Sequence, residues 1–343
     1  MSHVDFARRI REERLILPPL ADYTDLPYRR VMAGFSPPFI LTEMVSATAI
    51  VHGGSRTRRM LERVEGTGCE GVQLVGPDPS IMAVAAKIIE ELGYRYVDIN
   101  MGCTIHKVTR QGGGISLMGD EEKAQAIATA VVGAVSIPVT CKMRLGLSRD
   151  VLNAVSLSKR LEEVGIAAVT VHGRSGEKKW GMPVDFSELK KVVKAVSIPV
   201  VANGGIFTGR DAVEMMKRTG AAAVMPGRGI IGYPWLVPEI KAALSGTPFT
   251  PPTIQEKKDT CLLHMKFLCE YYSDKGGAIR MRRILPEYFT RCQNLRTLRQ
   301  DVHKTSSPGE VAALLDRIGE DGLFGFYDNH RVSDAACPSP MRV

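Results

Sequence analysis

A chain of 343 residues, 44% hydrophobic and 24% charged, is long enough for one large domain with a smaller module attached and needs no disulfides or metal to hold its core. No apolar run approaches the ~20 residues that span a bilayer, and charges interrupt the N-terminal MSHVDFARRIREERLILPPL where a secretory signal would be apolar, so a cytoplasmic protein without membrane spans is expected. A net charge of +8 admits a polyanionic partner, while seven scattered cysteines (Cys69, Cys103, Cys141, Cys261, Cys269, Cys292, Cys337) without a close C-x-x-C pair argue against a disulfide framework and a zinc site.

Residues 1–14 read as an N-terminal extension. From residue 15 the sequence repeats one phrase, a short β-branched apolar run that ends in a polar residue or glycine and leads into a helical stretch. Eight such runs occur: LILPPLAD (15–22), FILTEMVS (39–46), EGVQLVG (70–76), YVDINMG (96–102), PVTCKMR (138–144), AAVTVHGR (167–174), PVVANGG (199–205) and AAVMPGRG (222–229). Eight strand–helix units close a parallel barrel, so the pattern predicts an α/β fold, a (β/α)8 TIM barrel over 15–245. Two of its helices carry clear signals: Asp78-Pro79 opens an alanine-rich stretch that ends at Leu92-Gly93, and Asp120-Glu121-Glu122 opens one that ends near Val135.

After Pro234-Trp235 the pattern changes. Pro248, Pro251 and Pro252 form a linker, and 253–325 reads as a small C-terminal all-helical domain with Leu262, Met265, Leu268, Met281, Leu285 and Tyr288 on its inward face. Between Lys275 and Lys304 stand eight basic residues (Lys275, Arg280, Arg282, Arg283, Arg291, Arg296, Arg299, Lys304) and two acidic ones (Glu287, Asp301), a local net of +6. Residues 326–343 read as a loose tail.

In a TIM barrel the chemistry sits at the C-terminal ends of the strands. The polar residues that close the runs are Asp22, Glu43, Gln73, Asn100, Lys142, His172, Asn203 and Arg228, with Cys103 just beyond the fourth. Two distant acids and one histidine disfavour a metal-dependent hydrolase. Asn203-Gly204-Gly205 and Gly227-Arg228-Gly229, on the seventh and eighth units, suit a phosphate site built from backbone N–H groups, which implies a phosphorylated cofactor or substrate. Cys103 lies in NMGCTIHKVTRQGGG, whose glycines Gly112 to Gly114 permit close backbone approach and mobility, so its thiol can face the barrel mouth; the competing reading is a small buried hydrophobe. Lys142, beside Arg144, suits a cation set against a flavin ring that gains negative charge, or a salt-bridged barrel lysine. His172 suits a phosphate or ribityl contact, or a neutral core position.

With these residues in hand, the chain resembles the dihydrouridine synthase family. PPLADYTDLPYRR, TEMVSATAI, VQLVGPDP, DINMGCTIHKV, VTCKMRLG, TVHGRS, VVANGGIF and VMPGRGIIGYPW follow in the family's order, and the N-x-G-C loop together with K-x-R-L-G and H-G-R is what other flavin barrels lack. The resemblance implies FMN-dependent reduction of the C5=C6 bond of uridine in structured RNA, most simply tRNA, with NADPH as electron donor, by a monomeric enzyme. It makes Cys103 the proton donor to C5 of the uracil. It assigns the flavin to Pro19, Leu20, Ala21, Gln73, Lys142, His172, Asn203, Gly205, Gly227 and Arg228, and sets Asn100 beside the substrate base. Arg144, Arg174, Arg280 and Arg282 are assigned to substrate contact, the last two within the helical module that resembles the family's RNA-binding part. Three positions depart from the family pattern: Thr104 stands where a proline follows the cysteine, Leu20 where the first strand has methionine, and Trp180 where tyrosine is typical. Gly205 also lacks the polar side chain that the family often carries there. The alternatives are ribosomal RNA as substrate, an FMN barrel of the dihydroorotate dehydrogenase type acting on a free metabolite, and an RNA-binding barrel that has lost catalysis.

Overall fold

The computed structural model describes residues 1–177, 182–290 and 295–319; Trp180, Arg291, Cys292, Cys337 and the 326–343 tail fall outside them. The described residues divide at Pro251/Pro252 into two units.

In the first unit seven strands run parallel in chain order: β1 (Phe39–Ser46), β2 (Cys69–Val75), β3 (Tyr96–Met101), β4 (Val139–Arg144), β5 (Ala168–His172), β6 (Val200–Asn203) and β7 (Ala223–Met225). The run expected as an additional strand at 15–22 contributes only its first residues. The Ile16 N–H donates to the Val224 carbonyl at 3.0 Å, the Val224 N–H to the Arg14 carbonyl at 3.0 Å, and the Leu17 N–H to the Phe39 carbonyl at 2.9 Å. Residues 14–17 therefore bond to β7 on one side and β1 on the other and join the edges of the sheet. Pro18 and Pro19, which have no N–H to donate, end this pairing.

Strand period sorts the side chains into two layers. Val97, Ile99 and Met101 of β3, like Val139, Cys141 and Met143 of β4, pack outward against the helices. Tyr96 faces the barrel interior with Ile16, Phe39, Leu41, Val201, Ala223 and Met225. The N-terminal segment, read from sequence as an extension, supplies part of this interior. Helix α1 (His3–Glu13), whose Ser2 Oγ accepts from the Asp5 N–H, buries Phe6 and Ile10, and the Phe6 ring lies 5.3 Å from Phe39 and 5.2 Å from Tyr96. Each such fully buried side chain contributes on the order of 1.5–3 kcal/mol.

The helix caps follow the sequence signals. Asp78 Oδ1 accepts from the Ile81 N–H at the start of the helix Pro79–Glu91, and Asp120 Oδ1 from the Lys123 N–H at the start of Glu121–Val132. A buried ion pair joins helix α2 (Leu26–Ala33) to β2: Arg29 meets Glu70, and its guanidinium also donates to the Glu62 and Met60 carbonyls at 2.9 and 3.0 Å.

The second unit has helices Ile254–Tyr272, Asp274–Tyr288, Leu295–Val302 and Pro308–Asp316. Thr253 and Glu256 form a capping box at the first. The buried face of that helix is Cys261, His264, Met265 and Leu268; Leu262, expected inward, is only half-buried because the polar His264 turns in and bonds through Nδ1 to the Tyr288 hydroxyl at 3.2 Å. Met281, Leu285 and Tyr288 are buried. Among the described residues no helix is long and apolar enough to cross a membrane.

Candidate active site

The inward side chains at the carboxyl ends of the strands converge on the barrel mouth. Register puts Gln73 opposite Asp98, Asn100 opposite Lys142, Arg144 opposite His172 and His172 opposite Asn203, all on neighbouring strands. One residue in this set was not singled out from the sequence. Asp98 lies in the middle of the apolar run YVDINM, so attention to the residue that closes each run passes over it; the available signal was a carboxylate at an inward position.

Asp98 is 1% exposed and each of its oxygens accepts a hydrogen bond: Oδ2 from Gln73 Nε2 at 2.7 Å, Oδ1 from Thr140 Oγ1 at 2.6 Å. Burial raises its pKa to about 6, against the lowering effect of those two bonds and of Lys142. Gln73 Oε1 accepts from Asn100 Nδ2 at 2.7 Å, and Asn100 Oδ1 accepts the backbone N–H groups of Gly102 and Cys103 at 3.1 and 3.0 Å.

Cys103 is a free, half-buried thiol. Its carbonyl accepts the Ile115 N–H at 3.0 Å, so the glycine loop folds back on it. Gly114 makes that approach possible. Its φ is +62°, and a Cβ there would stand 2.7 Å from the Cys103 carbonyl oxygen and 3.1 Å from the Cys103 Cβ. Thr104, half-buried, follows directly.

Cations gather around one imidazole. Burial and then the charges of Lys142, Arg144, Arg174 and Arg228 push His172 down to about 2, so the ring is neutral at any working pH. Arg144 Nη1 stands 3.2 Å from His172 Nδ1 and Arg174 Nη1 3.5 Å from Nε2. A neutral imidazole has one acceptor nitrogen, and the shorter contact, to Arg144, favours Nδ1 for that role. Lys142 Nζ donates to Asn203 Oδ1 at 3.1 Å, and Asn203 Nδ2 to the Met225 carbonyl at 2.7 Å; burial, and secondarily Arg144, lower Lys142 to about 8. Arg144 also donates from Nε to the Gly102 carbonyl at 2.9 Å and from Nη1 to the Ser175 carbonyl at 3.0 Å, which ties the cysteine loop to the end of β5. Arg174 Nε donates to the Met182 carbonyl at 2.5 Å. Two of the arginines assigned to substrate thus already hold backbone.

The turns beside His172 are open to a ligand. Gly204 and Gly205 have φ of +114° and +70°, and a Cβ on Gly204 would come within 3.2 Å of the imidazole. A Cβ on Gly227 would meet nothing within 4 Å, and Arg228 beside it is exposed. At the first strand's end, Pro19 and Leu20 are half-buried and Ala21 is exposed; the Leu20 N–H donates to Thr24 Oγ1 at 2.8 Å. Asp22 (φ +66°) donates its N–H to Glu43 Oε1 at 2.6 Å. Among the described residues no group of three or more His, Cys, Asp or Glu side chains is arranged to hold a metal ion.

Arg280 and Arg282 belong to the second unit. The Arg280 guanidinium lies 3.6 Å from the centroid of the Tyr272 ring. Arg282 donates through Nε and Nη2 to the Thr305 carbonyl at 2.8 and 2.6 Å, a structural task that sequence did not foretell.

A parallel barrel with a cysteine loop, a buried amide chain and a cluster of cations at the strand ends defines a TIM-barrel enzyme. The model of the dihydrouridine synthase (Dus) family matches residues 16–321, and the chain belongs to that family. It is 36% identical over 307 residues to a probable tRNA-dihydrouridine synthase 1 of Synechocystis sp., covering 89% of this chain and 86% of that protein. Over 308 residues it is 34% identical to a probable tRNA-dihydrouridine synthase of Rickettsia bellii (89% and 94%), and over 306 residues 31% identical to tRNA-dihydrouridine synthase B of Pasteurella multocida (89% and 92%).

Proposed function

We propose that this protein reduces the C5=C6 bond of particular uridines in tRNA to 5,6-dihydrouridine, with FMN as cofactor and NADPH as electron donor. The observation that carries the reading is Cys103 held at the barrel mouth by Asn100, within one hydrogen-bonded frame that includes Gln73, Arg144 and the Gly114 loop. Family membership and the names of the relatives support tRNA as the substrate class.

The residues present fit a flavin mononucleotide. Lys142, Arg144, Arg174 and Arg228 all act on His172, an excess of positive charge that suits a phosphate, and the open backbone of Gly204, Gly205 and Gly227 admits one closely. Gly227-Arg228, Gly205 and His172 would hold the phosphate; Lys142, Asn203, Gln73 and the Pro19–Ala21 turn would hold the ring system. When bound and reduced by NADPH, FMN supplies the hydride that C6 of the uracil receives.

The protein's own groups complete the reaction. Cys103 gives its thiol proton to C5, so one hydride and one proton add across the bond, and solvent restores the thiol. Asn100 fixes the cysteine backbone, and Lys142, charged below about pH 8, places a cation in a buried site where it acts in low dielectric. His172, neutral, positions a ligand without adding charge. A uracil that reaches this mouth must leave its stack, which costs least in a loop of folded RNA. In the second unit, Arg280 on Tyr272 offers a cation over an aromatic face, chemistry suited to nucleic acid.

The test is to map dihydrouridine in tRNA from cells lacking this protein and from the same cells with it restored. Loss at defined uridines and recovery on restoration supports the reading. An unchanged map, in tRNA and ribosomal RNA alike, refutes it.

A further inference from the structure

We propose that Asp98 is a positioning residue: its carboxylate sets the polarity of an amide chain, Gln73 to Asn100, that ends on the backbone of Cys103 and fixes where its thiol stands. This rests on the reading of Cys103 as proton donor.

The argument is one of direction. A carboxylate only accepts, so Gln73 must present its Nε2 to Asp98 and its Oε1 to the other side. Asn100 must then donate Nδ2 to that oxygen and turn its own Oδ1 outward. The outward end meets two backbone N–H groups, of Gly102 and Cys103, which only donate. An acceptor at one end and donors at the other demand the same orientation of both amides, and every bond in the chain is between 2.7 and 3.1 Å. The strand pairing builds it: Gln73 and Asp98 are register partners, and Asp98 and Asn100 are two residues apart on one inward face. Thr140, Asp98's partner on β4, holds the second carboxylate oxygen from a hydroxyl that can rotate to donate or accept. Among the described residues only Thr140 and Gln73 hydrogen-bond to the carboxylate, which is 1% exposed and so shielded from bulk solvent. Reversal of Gln73 would set its oxygen against the carboxylate and its nitrogen against Asn100 Nδ2, and reversal of Asn100 would aim Nδ2 at the donors of Gly102 and Cys103; a shift of the cysteine by about 1 Å is enough to cost on the order of 10²-fold in rate.

The test exchanges the two functional groups without changing side-chain shape. Asp98→Asn alone keeps the chain, because the new amide can accept from Gln73 while Thr140 accepts from it. Asn100→Asp alone breaks it at a pH where both carboxyl groups are ionised, because two acceptors then flank Gln73 and one of its contacts is repulsive, so the comparison is made well above the value near 6 to which burial raises Asp98. The double variant Asp98→Asn/Asn100→Asp restores a satisfied chain of reversed direction, with the backbone N–H groups still bonded. Single-turnover uridine reduction by flavin-reduced holoenzyme at saturating tRNA is expected to fall about 10²-fold for Asn100→Asp, to fall by less for Asp98→Asn, and to recover at least about tenfold over Asn100→Asp in the double variant. Flavin reduction by NADPH, followed in parallel, is expected to change little throughout. The unfolding midpoint of each purified protein should follow the same order, down by about 3 °C or more in Asn100→Asp and regained in the double variant. A double variant no better than Asn100→Asp in rate and in midpoint overturns the proposal, since shape and burial are the same in both. If wild-type protein reduces no uridine, the functional reading fails instead, and the midpoints alone decide whether Asp98 directs the chain.

Discussion

Gly114→Ala makes a sharp test of the cysteine loop. The added Cβ would sit 2.7 Å from the Cys103 carbonyl oxygen, 3.0 Å from Val108 Cγ1 and 3.1 Å from the Cys103 Cβ, on a backbone with φ of +62°. The left-handed conformation costs an alanine roughly 1–2 kcal/mol and the overpacking roughly 1–3 kcal/mol more, so a loss of about 2–5 kcal/mol is expected. Gly246 is the control: its φ is +69° but a Cβ would meet nothing within 4 Å, so Gly246→Ala carries only the conformational share of roughly 1–2 kcal/mol. Because the tightest clash is with Cys103 itself, relief is expected to move the residue proposed to give the proton. Urea unfolding should separate the two variants by about 1–3 kcal/mol. Single-turnover uridine reduction should fall at least tenfold, by the order of magnitude that a displacement near 1 Å implies, in Gly114→Ala and not in Gly246→Ala. A Gly114→Ala enzyme as fast as Gly246→Ala would refute the claim that this loop holds the thiol in place.

Other consequences follow from the same geometry. Lys142, lowered to about 8, loses its charge as pH rises through that value, so uridine reduction should decline on the alkaline side with a midpoint near it, and Lys142→Arg should move that limb upward; a profile flat to about pH 10 contradicts the role. Arg29→Ala leaves Glu70 buried with Arg63, 3.7 Å away, as its remaining charge partner among the described residues and should cost roughly 3–5 kcal/mol in denaturant unfolding, whereas Arg29→Met with Glu70→Leu should recover most of it. Exposed Lys275 and Arg296 should each contribute about 0.7–0.9 to the slope of log affinity for tRNA against log salt, so alanine at both lowers that slope without slowing flavin reduction by NADPH. Arg282→Ala should instead reduce stability by roughly 1–3 kcal/mol, because it leaves the Thr305 carbonyl without its two donors.

The strand ends were legible because two constraints coincide there. A parallel barrel demands apolar runs, and its chemistry demands a polar residue where each run stops, so Gln73, Asn100, Lys142, His172 and Asn203 announce themselves. Asp98 did not, because an inward carboxylate inside a run breaks the apolar pattern without ending it, and its partners Gln73 and Thr140 come from two other strands. The first run illustrates the opposite difficulty: LILPPLAD has strand composition, but two prolines leave only residues 14–17 to bond to both neighbours. The charges of HVDFARRIREE hid an amphipathic helix whose Phe6 and Ile10 complete the barrel interior. In the second unit the concentration of basic residues was plain from the sequence, but the division of labour between Arg280 on an aromatic ring and Arg282 on a carbonyl depends on contacts 8 to 23 residues away.

The most direct measurement compares wild-type protein with Cys103→Ala on a tRNA transcript, with NADPH present. The account predicts that wild-type protein adds two hydrogen atoms to defined uridines, and that the variant binds flavin and oxidises NADPH normally yet leaves those uridines unreduced. Near-normal uridine reduction by Cys103→Ala would contradict it.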